Sequence, residues 1–153
     1  MRTFSCLLML SALIFAGCES DSDTFRERFN PVPPKTQVFD GDRPTVLLAA
    51  LQAFHRLDLH VLKSSPNHIQ AASYIHSSVV FGDTRQLVVD VDLGEAGPGK
   101  TEVALSLVEQ VESGSTGGTH QDSLRENGFF ANYFAMLQQV LQENAAAAAA
   151  EKK

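Results

Sequence analysis

The sequence predicts an α+β domain in which an antiparallel sheet of about four strands carries two helices on one face. Two segments with apolar residues at helical spacing, one early and one late, predict the helices. Stretches of alternating apolar and polar residues between them predict the strands. The apolar faces of the two helices and the apolar faces of the strands bury one another when both helices lie on one side of the sheet. The chain has 153 residues, enough for one such domain.

The first predicted elements follow a proline-rich segment. Residues 36–40 predict a short edge strand in front of the sheet, closed by an Asp-Gly-Asp turn. Apolar residues then recur at intervals of three and four, which predicts a helix over 44–56. Alternation over 57–61 and an apolar run over 69–75 predict two strands joined by a turn at 64–67.

The clearest strand pattern lies in the middle of the chain. Residues 86–93 and 102–107 both alternate between apolar and polar side chains, so each predicts a strand with one buried face. The glycine-rich segment 94–99 separates them, and together they predict a hairpin. A second glycine-rich stretch, 114–119, predicts a flexible loop.

The second helix is predicted near the end of the chain. Apolar and aromatic residues show helical spacing over 130–141, Asn127 is a suitable N-cap, and we expect the helix to end near Asn144. The alanine-rich segment 145–153 has nothing to bury and is expected to be a low-complexity tail. The predicted α+β domain therefore covers residues 37–144.

The N-terminal segment has the features of an export signal. Arg2 precedes an uncharged apolar run over 4–15, which is shorter than the roughly 20 apolar residues of a membrane-spanning helix. The run ends in Ile14-Phe15-Ala16-Gly17-Cys18, which resembles the lipobox of bacterial lipoproteins. The resemblance implies that residues 1–17 are a lipoprotein signal peptide, cut before Cys18. It also implies a diacylglyceryl group on the Cys18 thiol and an acylated amino terminus.

Acyl chains on Cys18 would make the lipid bilayer the first partner of the mature chain. Glu19, rather than Asp, follows the cysteine, and in lipoproteins this implies export to the outer membrane, on its periplasmic face. The polar and proline-rich residues 18–36 predict a flexible tether between the lipidated cysteine and the domain. Cys6 lies in the predicted signal, so the mature chain has no internal disulfide.

One segment matches a nucleotide-binding motif. Gly94 to Thr101 fit the pattern G-x-x-x-x-G-K-[ST] directly after a predicted strand. Such a loop binds phosphate when a helix begins at once behind it, because the helix N-terminus supplies backbone N–H groups. Residues 103–107 alternate as a strand does. We interpret Gly94–Thr101 as a hairpin connection and keep nucleotide binding there as an alternative.

Other residue patterns give little indication of catalysis. Asp90 and Asp92 share a strand face, which we expect to be solvated. The five histidines lack metal-ligand spacing, and no serine lies in a G-x-S-x-G turn. The net charge of −6 indicates no basic surface for nucleic acid. We therefore predict no enzymatic activity and no catalytic, cofactor-binding or metal site.

Aromatic residues are the candidates for partner binding. Phe129, Phe130, Tyr133 and Phe134 occupy more than one side of the last helix, so we expect one or two of them on the surface. The element order and this helix resemble the helix-grip-type domains of small envelope lipoproteins, including those attached to outer-membrane assembly machinery.

These observations favour a non-enzymatic, membrane-anchored scaffold or accessory subunit. It would bind another envelope component through a sheet edge or through the aromatic helix. The alternative is a lipoprotein that binds a small hydrophobic ligand between the sheet and the helices.

Overall fold

Two helices and an antiparallel sheet make up the domain, as the sequence predicts. The computed structural model describes residues 32–77, 82–114 and 118–151, all within one unit, Val32–Lys153. The predicted signal peptide, lipobox and tether up to residue 31 lie outside the described residues. In chain order the elements are β1 (Lys35–Asp40), α1 (Arg43–Arg56), β2 (His60–Ser65), β3 (His68–Ala72), β4 (His76–Ser77), β5 (Thr84–Gly97), β6 (Lys100–Glu112), β7 (Thr119–Ser123) and α2 (Gly128–Glu151).

The sheet is larger than predicted. Its main path runs β1-β6-β5-β3-β2, with every pair antiparallel, while β4 pairs with β5 and β7 pairs with β6. The expectation of about four strands, or five with the strand in front, is therefore wrong: the described residues form seven. The sequence does not reveal β4 because it has two residues, nor β7 because all five of its residues are polar and exposed.

The hairpin of β5 and β6 forms the centre of the sheet. Pairing extends from Thr84 opposite Glu112 to Gly97 opposite Lys100, so both strands are longer than the sequence pattern predicts. Alternate side chains from both strands are buried beneath the helices, and they are Val89, Val91, Leu93, Val103, Leu105 and Leu107. The side chains between them lie on the other face of the sheet.

Helix α1 begins at an aspartate cap and ends at a left-handed residue. Asp42 Oδ1 accepts a hydrogen bond from the Thr45 N–H at 3.2 Å. Hydrogen bonding by the Thr45 side chain, together with this backbone bond, lowers the pKa of the Asp42 carboxyl. Leu57 caps the other end, and Asp58 follows with φ of 56°. The buried stripe is rich in small residues, which let the helix approach its neighbours closely, and consists of Val46, Ala49, Ala50, Ala53 and Phe54.

Helix α2 has the predicted cap but not the predicted end. The Asn127 side chain accepts a hydrogen bond from the Phe129 N–H at 2.9 Å, which confirms the N-cap. The helix continues past Asn144 to Glu151, because alanine has the highest helix propensity and needs no partner to extend an existing helix. The residues 145–151 are all exposed.

Polar contacts join α1 to α2 outside the core. Arg56 Nη2 donates to Glu143 Oε2 at 2.6 Å, and Asn144 Nδ2 donates to Gln52 Oε1 at 3.2 Å. The bond from Arg56, together with one from Gln139, lowers the pKa of the Glu143 carboxyl. These contacts lie at the surface, so we assign most of the stability of the helix pair to its apolar stripe.

Tyr133 lies at the centre of the core between the two helices. Its side chain is fully buried, and its ring lies 4.8 Å from that of Phe54 and 5.9 Å from that of Phe134. Its hydroxyl has no hydrogen-bond partner among the described residues, and burial raises the pKa of this phenol. A buried hydroxyl without a partner lowers stability because it loses its bonds to water.

Removing the Tyr133 hydroxyl should therefore stabilise the domain. We expect Tyr133→Phe to raise the free energy of unfolding by about 1 kcal/mol, because the apolar contacts remain and the desolvated group is lost. Urea unfolding followed by circular dichroism measures the change. Tyr74→Phe is the matched control, since Tyr74 is exposed and should show no effect. A loss of stability in Tyr133→Phe would show that the hydroxyl has a partner after all.

Candidate functional site

The segment with the nucleotide motif is part of the sheet. Gly94 and Glu95 pair with Glu102 and Thr101, and Gly97 pairs with Lys100 after an irregularity at Ala96. The turn at 98–99 joins the two strands. Two glycines allow this tight turn, since Gly97 has φ of 142° and Gly99 has φ of 65°. Strand β6, not a helix, follows the turn, so the segment lacks the helix N-terminus that phosphate binding needs.

The lysine and threonine of the motif make structural contacts. Thr101 is 1% exposed, and its hydroxyl donates to the Gly41 carbonyl at 2.9 Å. The Gly41 N–H in turn donates to the Gly99 carbonyl at 2.8 Å. Lys100 forms an exposed ion pair with Asp40, with Nζ 3.7 Å from Oδ1. These residues join the β5–β6 turn to the corner between β1 and α1.

The aromatic residues predicted to bind a partner are mostly internal. Phe130 and Tyr133 are buried in the core cluster, and Phe129 and Phe134 are half-buried against it. Phe134 packs 6.1 Å from the buried ring of Phe39, and Phe129 packs 6.1 Å from that of Tyr133. The helix can turn all four towards the core because positions i, i+1, i+4 and i+5 lie within about 140° of one side of a helix. In this arrangement α2 offers a partner little aromatic surface.

The uncovered side of the sheet is a candidate interaction surface. The described helices pack on the side that holds the core, and no described element packs on the other side, which we call the open face. Small or apolar side chains lie near its middle, since the half-buried Val88 and Val108 lie opposite one another on β5 and β6, beside the fully buried Ala72 of β3. Ser106 and Ala104 continue this strip along β6.

Acidic side chains flank this strip on the open face. Asp90 and Asp92 lie on the open face, in agreement with the prediction that they share one face of their strand. Glu102 lies nearby, opposite Gly94. Asp92 is 71% exposed, whereas Asp90 is half-buried. Val38, opposite Glu102 on β1, adds an exposed apolar side chain at the same end. The open face therefore combines small side chains with a negatively charged margin.

A histidine joins the two aspartates. His68 Nδ1 lies 2.8 Å from Asp92 Oδ1, and its Nε2 lies 3.5 Å from Asp90 Oδ1. Gln70 Nε2 also donates to Asp90 Oδ1 at 2.9 Å. The two ring nitrogens point in different directions, so the histidine bridges the carboxylates and does not converge with them on one point. The described residues hold no group of three His, Cys, Asp or Glu side chains arranged to bind a metal ion.

A second candidate surface lies at the outer edge of the sheet. Four of the six large exposed apolar side chains among the described residues lie along β2 and the connection to β4. We call them the edge patch, and they are Val61 (41% exposed), Leu62 (53%), Tyr74 (67%) and Ile75 (61%). The rings of His60 and Tyr74, 5.7 Å apart, join its two halves.

Between the described helices and strands, little space remains for a ligand. Apolar side chains from both helices and from the strands fill the volume between them, with Tyr133, Phe39 and Phe54 among the largest fully buried. An open surface pocket of about 470 Å³ lies at the start of α2, beside Lys35, Asn127 and Phe130. Neither helix within the described ranges has the length and apolar character to cross a membrane.

Comparisons with known proteins give no family for this chain. No family model matches it, and no curated protein matches it. Among solved structures, it is similar to the adenylate sensor from AMP-activated protein kinase, crystallised in complex with 5-aminoimidazole-4-carboxamide 1-beta-D-ribofuranotide. The TM-score is 0.40 and the identity 20%, over 69% of this chain and 93% of that chain. Similarity at this level does not indicate a shared function.

Substitutions at Lys100 and Thr101 distinguish a hairpin from a nucleotide site. We expect Thr101→Val to lower the free energy of unfolding by about 1 kcal/mol, because the Gly41 carbonyl loses its donor. Lys100→Ala should change it by less than about 0.5 kcal/mol, because the ion pair is exposed. Chemical unfolding measures both. Binding of Mg-ATP by the native chain in calorimetry, lost in Lys100→Ala, would contradict the hairpin assignment.

Proposed function

We propose that this chain is a non-enzymatic lipoprotein of the cell envelope, anchored by an acylated Cys18. It acts as a scaffold or accessory subunit that binds another envelope component. The sequence Ile14-Phe15-Ala16-Gly17-Cys18 supports the anchor, and Glu19 supports the periplasmic face of the outer membrane. The observation that carries the binding role is the open face, a broad sheet surface that no described element covers.

The chemistry of the open face favours a protein partner. Small side chains such as Ala104 and Ser106 let a second surface approach the sheet closely, and the paired strands hold them in a nearly fixed arrangement. The acidic margin of Asp92 and Glu102 favours a partner that presents lysine or arginine. We therefore place the binding surface on the open face, and not on α2.

The alternatives receive less support. A hydrophobic ligand between the sheet and the helices would have to displace buried side chains such as Tyr133 and Phe54. Nucleotide binding at Gly94–Thr101 would need backbone N–H groups and a lysine that the hairpin uses in other contacts. Scaffold binding requires no rearrangement of the described residues.

The anchor is tested at Cys18. We expect the native protein to fractionate with membranes and to yield an N-terminal peptide that begins at Cys18 and carries acyl chains. Cys18→Ser should lose both the modification and membrane retention, because the thiol of the lipobox is removed. Intact-mass analysis of both fractions measures this. A native chain that keeps Met1 and is recovered free of lipid from the soluble fraction would contradict the proposal.

The binding surface is tested by adding a positive charge to the open face. We expect Ser106→Arg to weaken the native complex at least about tenfold, because the new side chain obstructs close approach and repels a basic partner. Quantitative cross-linking in intact cells measures this, with thermal unfolding to verify the fold. Gln138→Arg on the exposed side of α2 is the matched control. Loss of the complex in the control alone would place the partner on the helices.

A further inference from the structure

The edge patch has a charge that differs from that of the whole chain. The chain carries a net charge of −6, yet residues 59–82 contain no aspartate or glutamate. Within this stretch β2 and β4 hold Lys63 and two histidines, His60 and His76. The edge patch therefore combines exposed apolar side chains with the positive charge of Lys63 and has no carboxylate of its own, on a chain whose net charge is negative.

Strand addition by a partner protein does not suit this edge. The register of β2 against β3 shifts between Val61 and Lys63, so a bulge interrupts the outer row of backbone groups. Lysine at an edge strand opposes pairing with another strand, and β4 is only two residues long. An incoming strand would find no continuous row of donors and acceptors.

A second copy of the chain fits no better. Two-fold pairing of β2 with itself about the middle of the strand would bring Lys63 close to its own counterpart. Like charges opposite one another across strands are destabilising. A binding partner of the edge patch should therefore be anionic, should accept apolar side chains, and should not need backbone hydrogen bonds to a strand.

We propose that the edge patch rests on an anionic lipid surface, and this inference depends on the proposed anchor at Cys18. Tyr74, Ile75 and Leu62 would enter the boundary between headgroups and acyl chains, where tyrosine is favoured. Lys63 would lie among the lipid phosphates.

The length of the tether permits this contact. Cys18 to Pro31 is a segment of fourteen residues, which spans at most about 50 Å when fully extended. A domain of about 120 residues is roughly 35 Å across, so the anchor can bring any side of it to the bilayer. Because a short tether gives an effective concentration in the millimolar range, even a weak contact would be populated.

Tryptophan fluorescence can test the contact in the intact lipoprotein. The chain contains no tryptophan, so Tyr74→Trp introduces a single reporter, and Leu48→Trp on α1 gives a matched exposed control. Acylated mature protein would be reconstituted into vesicles of phosphatidylcholine, with or without phosphatidylglycerol. Flotation reports the anchor, and quenching by brominated acyl chains reports contact of each tryptophan with the bilayer.

The expected result is quenching of the reporter at residue 74, and not at residue 48, in vesicles that contain phosphatidylglycerol. Adding Lys63→Ala should lower the docking equilibrium constant about fivefold, since a lysine near an anionic surface contributes about 1 kcal/mol. Flotation without quenching at residue 74 would overturn the inference while the anchor stands.

Other outcomes also decide the matter. A protein that fails to float with the vesicles lacks the anchor. The contact of the edge patch with lipid is then measured at excess lipid, and absence of quenching at residue 74 under that condition overturns the inference. Equal quenching at both positions would overturn the orientation, and equal quenching in neutral and anionic vesicles would overturn the role of charge. If the tryptophan emission at residue 74 shifts only when envelope proteins are added, and not with lipid alone, the edge patch binds a protein and the inference is overturned.

Discussion

The register of β5 against β6 is the constraint on which the other elements depend. This ladder decides that Val89 and Leu105 point towards the helices and that Asp90 and Ser106 point away. A slip by one residue would reverse every side chain in both strands and expose the core. The flanking strands β1, β3 and β7 take their register from this pair, and the buried stripes of α1 and α2 close over one side of it.

Local patterns in the sequence were sufficient for the elements that bury apolar residues. The helix α1, the strand β3 and the central hairpin carry clear periodicity, and Asn127 has the chemistry of a cap. The strand predicted over 57–61 is displaced, since β2 runs from His60 to Ser65 and none of its residues is buried. Strand β7 could not be found this way, because its polar residues are held by backbone pairing to β6 and not by burial. The end of α2 was missed because alanine neither buries nor stops a helix.

The candidate surfaces depend on contacts between distant residues, and this limits what the sequence could reveal. Asp90 and Asp92 are recognisable as neighbours on one strand, but His68 comes between them only because β3 pairs with β5 in a particular register. The match at Gly94–Thr101 shows the reverse case: the residue types fit a nucleotide motif, while pairing directs Thr101 into the core. On α2, by contrast, helical spacing agrees with the burial: Phe130 and Tyr133 lie in the middle of the aromatic arc and are buried, and the two residues at its ends are half-buried.

The last turns of α2 have a consequence for how this chain can vary. Residues 145–151 extend about 10 Å beyond the contact between Glu143 and Arg56, and all of them are exposed. Six of the seven are alanine, and adding or removing residues here changes no packed side chain. The domain should therefore tolerate changes of length at this position, with each added alanine moving the residues behind it outward by about 1.5 Å and by about 100° around the helix axis.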